Sequence, residues 1–235
     1  MREQRNDRPR LAAARGAGWW FPSWGGRRIR AGVTDRRTDP ARLLEALGYP
    51  VTAVSVEQAH GGSVAVIQRC ARAVTVAGCD ALVTRTPGVA LLVRTADCLP
   101  LAFADPRRGV IGIAHAGWRG MMAGLLARVV RAFHTNFHTP PHELEVAIGP
   151  AIRACCYEVG PEFLQRFGTF VQTREGRRTC DLVGIAQEQL ARCGIQPARI
   201  VDSGCCTACE ADRWFSWRRE GAAAGRMVSL IALRP

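Results

Sequence analysis

Three residues whose types suit metal binding or nucleophilic chemistry follow apolar segments of the chain: His60, Cys98 and His115. His60 precedes Gly61 and Gly62, Cys98 precedes a proline, and His115 precedes an Ala-Gly pair. Residues that leave a strand end into a loop are held by the sheet and still reach solvent, which is the usual location of catalytic groups. Two histidines with ordinary hydrogen-bond partners and a buried thiol, none of them functional, would show the same pattern. The spacing of the three residues also matches no zinc-finger motif.

Two mechanisms follow if these three side chains converge. Two imidazoles and a thiolate form a three-ligand zinc site with an open fourth position, where bound water reaches a pKa of about 7. Alternatively, Cys98 is a nucleophile activated by His115, with Asp97 or a backbone carbonyl orienting the imidazole. The predicted catalytic residues are therefore Asp97, Cys98 and His115.

The other cysteines and histidines are not predicted to bind metal. A CCxxC group at residues 205–209 offers three thiols, but a tetrahedral structural site needs four ligands, so we interpret the group as a loop that supports the site. Cys155 and Cys156 have apolar neighbours and are predicted to be small core residues. The remaining histidines recur every four residues, but prolines interrupt a helix there, which favours surface loop positions for His134, His138 and His142.

Arginines beside turns are candidates for binding an anionic substrate. A guanidinium holds a phosphate through two hydrogen bonds, so one or two near the site would suit a phosphate-using reaction. Aromatic side chains in the same segments could stack on a base, although such residues more often belong to a core. The candidates for substrate contact are Arg36, Arg119, Arg218, Arg219, Phe215 and Trp118.

The elements that position these residues are predicted to be mostly strands. Apolar runs predict buried strands over 89–95, 99–104 and 110–114, and apolar residues at i, i+3, i+4 spacing after Arg119 predict one amphipathic helix. Strands outnumber crossover helices and arrive in groups, which favours an α+β fold with mixed sheets. Further strands are predicted over 51–56, 63–67, 144–148, 200–201, 214–217 and 228–233, and further helices over 41–47, 161–167 and 182–193, the last capped by Asp181.

Composition bounds the size and the compartment. The chain has 235 residues, 48% of them hydrophobic, which suits one large core. Residues 1–37 hold ten arginines against three acidic residues, so we predict a basic, disordered arm over 1–28 and one catalytic domain over 29–235. Binding of nucleic acid through this arm is an alternative but is not expected. No segment suits a signal peptide or a membrane span, and the ten cysteines suit a reducing compartment, so a cytoplasmic protein is predicted.

The chain carries the motifs QAHG at 58–61, DALVT, TADCLPL, AHAGWRG at 114–120, IGPAIRACCYEVG at 148–160, WFSWRREG and GRMVSLIAL. With these motifs it resembles the laccase-domain proteins, also called multicopper polyphenol oxidases and now regarded as purine nucleoside phosphorylases. The resemblance covers about residues 50–235. Relatives carry a longer segment before these residues, and Arg36 is the best match to an arginine of that segment.

The resemblance implies a single domain with α/β/β/α layers and a catalytic zinc on His60, Cys98 and His115. It implies purine nucleosides and phosphate as substrates, with phosphorolysis of adenosine, inosine and methylthioadenosine and deamination of adenosine. Copper was the older assignment for the family, but several copper centres need grouped ligand motifs, and this chain has five histidines, three of them in one segment. The alternatives are a Cys98–His115 hydrolase and an editing enzyme of peptidoglycan precursors.

Overall fold

Two β-sheets lie face to face in the part of the chain that this computed structural model describes, residues 12–13, 18–21 and 28–235. The strands in chain order are β1 (Ala12–Ala13), β2 (Trp19–Trp20), β3 (Ile29–Val33), β4 (Thr52–Val56), β5 (Val64–Ile67), β6 (Val74–Val76), β7 (Ala81–Thr84), β8 (Val89–Thr95), β9 (Leu99–Asp105), β10 (Val110–Ala116), β11 (Glu145–Ile148), β12 (Val171–Arg174), β13 (Arg177–Cys180), β14 (Ile200–Asp202) and β15 (Met227–Leu233).

The helices of the described residues are short apart from two. In chain order they are α1 (Pro40–Glu45), α2 (Trp118–Met122), α3 (Leu125–Phe137), α4 (Glu162–Phe167), α5 (Leu182–Arg192) and α6 (Trp217–Glu220). Single 3₁₀ turns lie at Pro141–Glu143, Gly168–Phe170, Pro197–Arg199 and Gly221–Ala223. Within the described part of the chain, none of these helices combines the length and the apolar character that a membrane crossing requires.

Both sheets mix parallel and antiparallel pairs. The first sheet has the strand order β1-β2-β3-β15-β8-β4-β6, and β4 runs parallel to both of its neighbours. The second has the order β14-β11-β9-β10-β7-β5, with parallel pairs at its two edges. A separate hairpin joins β12 and β13. The predicted α+β class with mixed sheets is confirmed.

Helices cover the outer faces of the two packed sheets. Leu91 and Ile231 of the first sheet belong to the same buried cluster as Leu82 and Ile111 of the second, which forms the core between the sheets. Helices α3 and α5 cover the outer face of the second sheet, and α1 covers part of the first. The arrangement is the α/β/β/α layering that the resemblance implied, and it leaves the strand ends as the places where polar side chains can meet.

Two predicted elements differ from the structure. The predicted helix after Arg119 is divided into α2 and α3, because Gly124 adopts a left-handed backbone (φ 75°) between them. The strand predicted over 214–217 is wrong: the segment forms a turn that enters α6, where the Ser216 hydroxyl accepts the backbone N–H of Arg219 at 3.3 Å. Aromatic residues gave this segment the composition of a strand, but a helix cap decided its conformation.

Part of the predicted disordered arm belongs to the first sheet. Trp19 and Trp20 pair with Val33 and Gly32 of β3, and Trp20 is buried beside α1. The Arg30 guanidinium lies over the Trp20 ring, 4.2 Å from its centroid. The prediction of disorder is therefore wrong for these residues, because two large apolar rings gain buried area by pairing. The remainder of the arm, residues 1–11, 14–17 and 22–27, lies outside the described residues.

Candidate functional site

The strand registers of the second sheet bring three separate segments to one end of it. Ala116 of β10 pairs with Leu99 of β9, so Cys98, which precedes Leu99, lies beside the residues that leave β10. Ala114 pairs with Ala81 of β7, and β7 in turn pairs with β5, whose preceding turn carries His60. The start of β7 lies between β10 and β5 at this end of the sheet and is a fourth segment of the site.

The three predicted metal-binding residues converge at this end of the sheet. The ligand atoms of His60, Cys98 and His115 all lie within 4.8 Å of one another. The two imidazole rings meet edge to face, with centroids 4.7 Å apart and an interplanar angle of 89°. His115 is buried whereas His60 is exposed, so the cluster has one side toward solvent.

Gly117 leaves the space in which a ligand of these residues would lie. A Cβ atom at position 117 would come within 3.1 Å of the Cys98 sulfur and 3.7 Å of the His60 ring. The backbone there is extended and would accept alanine, so the constraint is steric crowding at the cluster. Gly117 is thus part of the site.

Asp80 fixes the cluster from behind, and sequence reasoning missed this role. Its carboxylate is fully buried and lies 2.9 Å from His115 Nδ1. It also accepts the backbone N–H groups of His60 at 2.9 Å and Gly61 at 2.7 Å. A carboxylate that binds the second ring nitrogen sets the orientation of a metal-binding histidine. The available signal was an acidic residue directly before the buried strand β7.

The half-buried Cys98 and the buried His115 shift each other's ionisation. Burial alone would raise the pKa of the Cys98 thiol, but hydrogen bonds with His115 and His60 and their charges lower it from 9.0 to about 7. Burial alone would lower the pKa of His115, but its hydrogen bonds to Asp80 and Cys98 raise it to about 9. The environment therefore favours a thiolate, the form in which cysteine binds metals or acts as a nucleophile.

Asp97 lies at the site but does not orient His115 as predicted. Its carboxylate accepts the Thr207 hydroxyl and the backbone N–H of Arg218, each at 2.6 Å. Its backbone adopts the left-handed region (φ 95°), which is strained for a residue with a side chain. Because the carboxylate turns toward residues 207 and 218, the orienting contact to His115 comes from Asp80.

A cavity of about 460 Å³ opens from the cluster, and four of the residues that line it are arginines: Arg94, Arg119, Arg218 and Arg226. None of the four has an ion-pair partner among the described residues. Asp97 is the one acidic side chain in the described lining, so the cavity carries a positive charge excess. Its apolar walls come from Trp118, Ile152, Tyr157 and Trp217.

Three of the predicted substrate contacts lie outside this cavity. The Arg36 guanidinium donates to the Ala211 carbonyl, pairs with Glu220 and lies over the Phe215 ring, 5.0 Å from its centroid. Arg219 donates to three backbone carbonyls and pairs with Glu220. The structure does not bring Arg36, Arg219 and Phe215 into this cavity, because these groups bind each other and the backbone. Arg119, Arg218 and Trp118 do line the cavity.

Comparisons with known proteins agree with this architecture. Residues 32–234 match the family described as multi-copper polyphenol oxidoreductase laccase. The chain is 35% identical over 223 residues to purine nucleoside phosphorylase YlmD of Geobacillus stearothermophilus, covering 86% of this chain and 81% of that protein. It is 33% identical to adenosine deaminase RL5 of an unknown prokaryotic organism, covering 76% of this chain and 74% of RL5. The crystal structure of YlmD superimposes with a TM-score of 0.88 at 29% identity, covering 96% of this chain and 99% of YlmD.

Proposed function

Because this chain belongs to the multi-copper polyphenol oxidoreductase laccase family, we propose that it is a zinc-dependent enzyme of purine nucleosides. Its main reaction is phosphorolysis of adenosine, inosine or methylthioadenosine, and it also deaminates adenosine. The family relatives named as purine nucleoside phosphorylase and adenosine deaminase support these two activities.

The observation that carries this proposal is a His-Cys-His cluster that lines the same cavity as four arginines. The donor set suits zinc, since two imidazoles and one thiolate leave a position for a substrate or water. Asp80 behind His115 supplies the carboxylate that such sites use to orient a ligand. Zinc bound to His60, Cys98 and His115 would polarise an oxygen atom of a reactant as a Lewis acid.

The arginines of the cavity are suited to hold phosphate against the ribose. In phosphorolysis a phosphate oxygen forms a bond to ribose C1′, the C1′–N9 bond breaks, and the leaving purine takes up a proton. Arg119 and Arg218 present guanidiniums at the same cavity as the metal cluster and have no carboxylate partner in the described chain. Arg218 donates to the Cys156 carbonyl at 3.4 Å, and the Arg119 guanidinium lies over the Trp118 ring, 4.5 Å from its centroid. Guanidiniums without a carboxylate partner can bind a phosphate dianion and neutralise the charge that develops on the departing base.

The aromatic wall is suited to the purine base. Trp118 and Tyr157 line the cavity, and both contact Phe163 behind them, with ring centroids 5.3 and 6.0 Å away. Burial and the nearby Cys98 raise the pKa of the Tyr157 hydroxyl, so it remains a hydrogen-bond donor at neutral pH. Asp97, the earlier candidate for the proton donor, has both carboxylate oxygens engaged as acceptors. We therefore assign donation of a hydrogen bond to the base to Tyr157.

The test measures ribose 1-phosphate and free base from adenosine or inosine, with and without phosphate. Cys98→Ala is expected to abolish turnover together with zinc binding at the His-Cys-His cluster. Arg119→Met is expected to raise the KM for phosphate roughly 10- to 100-fold, because a charged hydrogen bond contributes about 1.5–3 kcal/mol. Arg128→Met, on the exposed face of α3, is the matched control and should leave KM unchanged. Zinc-loaded wild type without nucleoside turnover would refute the proposal.

A metal-free hydrolase is the second candidate, since Cys98 and His115 are hydrogen-bonded and the pKa of the Cys98 thiol is lowered to about 7. In that case Cys98 would attack an amide or peptidoglycan-precursor carbonyl, with His115 carrying the proton. Purified protein that hydrolyses amides without zinc at the His-Cys-His cluster would favour this candidate. Zinc content that falls with Cys98→Ala would favour the nucleoside enzyme.

A further inference from the structure

A second cluster of sulfur atoms lies outside the His-Cys-His site. It consists of Cys155, Cys156, Cys206 and Cys209, whose sulfur atoms all lie within 4.8 Å of one another. We call these residues the four-cysteine cluster. Cys205, the neighbour of Cys206, is not a member, because its thiol is buried and turns toward the Ser203 carbonyl, 3.5 Å away. The predicted core role of Cys155 and Cys156 is corrected, since Cys155 is exposed and both meet other thiols.

The distances within the cluster match a tetrahedral metal site. The Cys155 sulfur lies 3.6 Å from those of Cys206 and Cys209, and the Cys156 sulfur lies 3.3 Å from that of Cys209. A zinc–sulfur bond of about 2.3 Å gives a sulfur–sulfur edge of about 3.8 Å in a tetrahedron. A disulfide would require about 2.0 Å. The side chains therefore stand near the spacing of four thiolates around one ion.

The backbone around Cys206 also favours a thiolate ligand. Residues 206–209 form a Cys-Thr-Ala-Cys turn, the CxxC spacing of structural zinc sites. Burial alone would raise the pKa of the Cys206 thiol, but hydrogen bonds from the backbone N–H groups of Cys209, Arg153 and Ala208 lower it. Such N–H groups stabilise negative charge on sulfur whether or not an ion is present.

The two segments that carry the cluster both support the active-site cavity. Ile152 and Tyr157, on the loop that holds Cys155 and Cys156, line the cavity. Thr207, between the other two cysteines, donates its hydroxyl to Asp97 at 2.6 Å. The backbone already joins the segments, with Thr207 N–H donating to the Ala151 carbonyl at 3.1 Å. A metal ion here would link the loop that carries Ile152 and Tyr157 to the segment whose Thr207 is hydrogen-bonded to Asp97.

We propose that the four-cysteine cluster binds a structural zinc ion, separate from the His-Cys-His site, that fixes the 151–160 loop to the 205–210 segment. Four protein ligands leave no open position, so this ion holds the fold and takes no part in the chemistry. Binding displaces the thiol protons to solvent. The site could not be predicted from the sequence, because its two pairs of cysteines lie about fifty residues apart and neither pair alone supplies four ligands.

The test uses the His60→Ala/Cys98→Ala double variant, in which the first metal site has lost two ligands. Protein purified with zinc and passed through a weak chelator is expected to retain about one zinc per chain. X-ray absorption of this sample should show about four sulfur neighbours at about 2.3 Å. Adding Cys209→Ser should remove the zinc, whereas Cys70→Ser, which changes a thiol outside the cluster, should retain it.

Three results would overturn the proposal: a folded double variant without zinc, zinc that survives Cys209→Ser, or fewer than three sulfur neighbours. A disulfide would also overturn it, and titration of the denatured, unreduced double variant separates the cases. Nine free thiols are expected there, since ten cysteines are unbonded in the native chain and one is removed. Seven would indicate a disulfide. These outcomes do not depend on nucleoside turnover, so they stand apart from the proposed function.

Discussion

Replacing Asp80 by asparagine tests whether a buried carboxylate controls the metal-binding cluster. One carboxylate oxygen accepts from His115 Nδ1 and the His60 backbone N–H, and the other accepts from Gly61 N–H. Asparagine has nearly the same shape but only one acceptor oxygen. If that oxygen keeps the two histidine contacts, the amide NH₂ faces the Gly61 N–H, and two donors oppose each other in a fully buried position.

Two separate effects are expected from this substitution, one on stability and one on zinc binding. The opposed donors should lower the free energy of unfolding of the metal-free protein by about 1–3 kcal/mol. Loss of the negative charge behind His115 should weaken zinc binding at the His-Cys-His site roughly 10- to 100-fold, the usual effect of removing such a partner. This corresponds to about 1.4–2.8 kcal/mol of binding free energy.

Urea unfolding of the metal-free protein measures the change in stability. Chelator competition measures the affinity for zinc at the His-Cys-His site, identified as the zinc that is lost in Cys98→Ala. Asp105→Asn is the matched control, because Asp105 is also fully buried and accepts four hydrogen bonds, from Thr139, Arg107 and Arg108, at the other end of β9. It should lower stability to a similar extent and leave zinc affinity unchanged. Equal zinc affinities in wild type and Asp80→Asn, or equal losses in both variants, would refute the assignment of Asp80 to the cluster.

Two further outcomes follow from the geometry. Gly117→Ala should weaken zinc binding at the His-Cys-His site by about 1–3 kcal/mol with little loss of fold stability, because the added Cβ would lie 3.1 Å from the Cys98 sulfur. Zinc affinity is measured by chelator titration, and an affinity equal to that of wild type would contradict this steric effect. In metal-free protein, alkylation of Cys98 should rise with pH through a midpoint of about 7, because the reactive thiolate forms as pH rises through the pKa. His60→Ala should move that midpoint upward toward 9.0, as followed by mass spectrometry, and an unmoved midpoint would show that His60 does not stabilise the thiolate.

Local patterns in the chain were sufficient to predict individual strands and helix caps. The apolar run before Asp97 predicted β8 with its observed bounds, and the Asp181 cap of α5 was also predicted correctly, its carboxylate accepting Gly184 N–H at 2.9 Å. Such features depend on residues a few positions apart, so composition and spacing record them. The strand predicted over 214–217 was wrong because one capping hydroxyl outweighed an aromatic composition.

The residue types that could bind a metal were also evident from the sequence, and the motifs around His60, Cys98 and His115 were sufficient to recognise the family. The sequence could not select among the arginines, because a guanidinium beside a turn looks alike whether it faces a cavity or a backbone carbonyl. Arg119 faces the cavity, whereas Arg219 binds Thr207, Ala208 and Trp214 carbonyls. For Arg219 that distinction depends on how the segment after β14 folds on itself and on Asp97.

Tertiary structure alone decided how distant residues meet. Strand order and register place the starts of β5, β7 and β9 at one sheet end, and only there does Asp80 reach His115. The four-cysteine cluster likewise forms from two loops that carry two thiols each. A sequence records burial and local conformation because these depend on neighbouring residues. Contacts across tens of residues depend on the pairing of whole strands, which is a property of the folded chain.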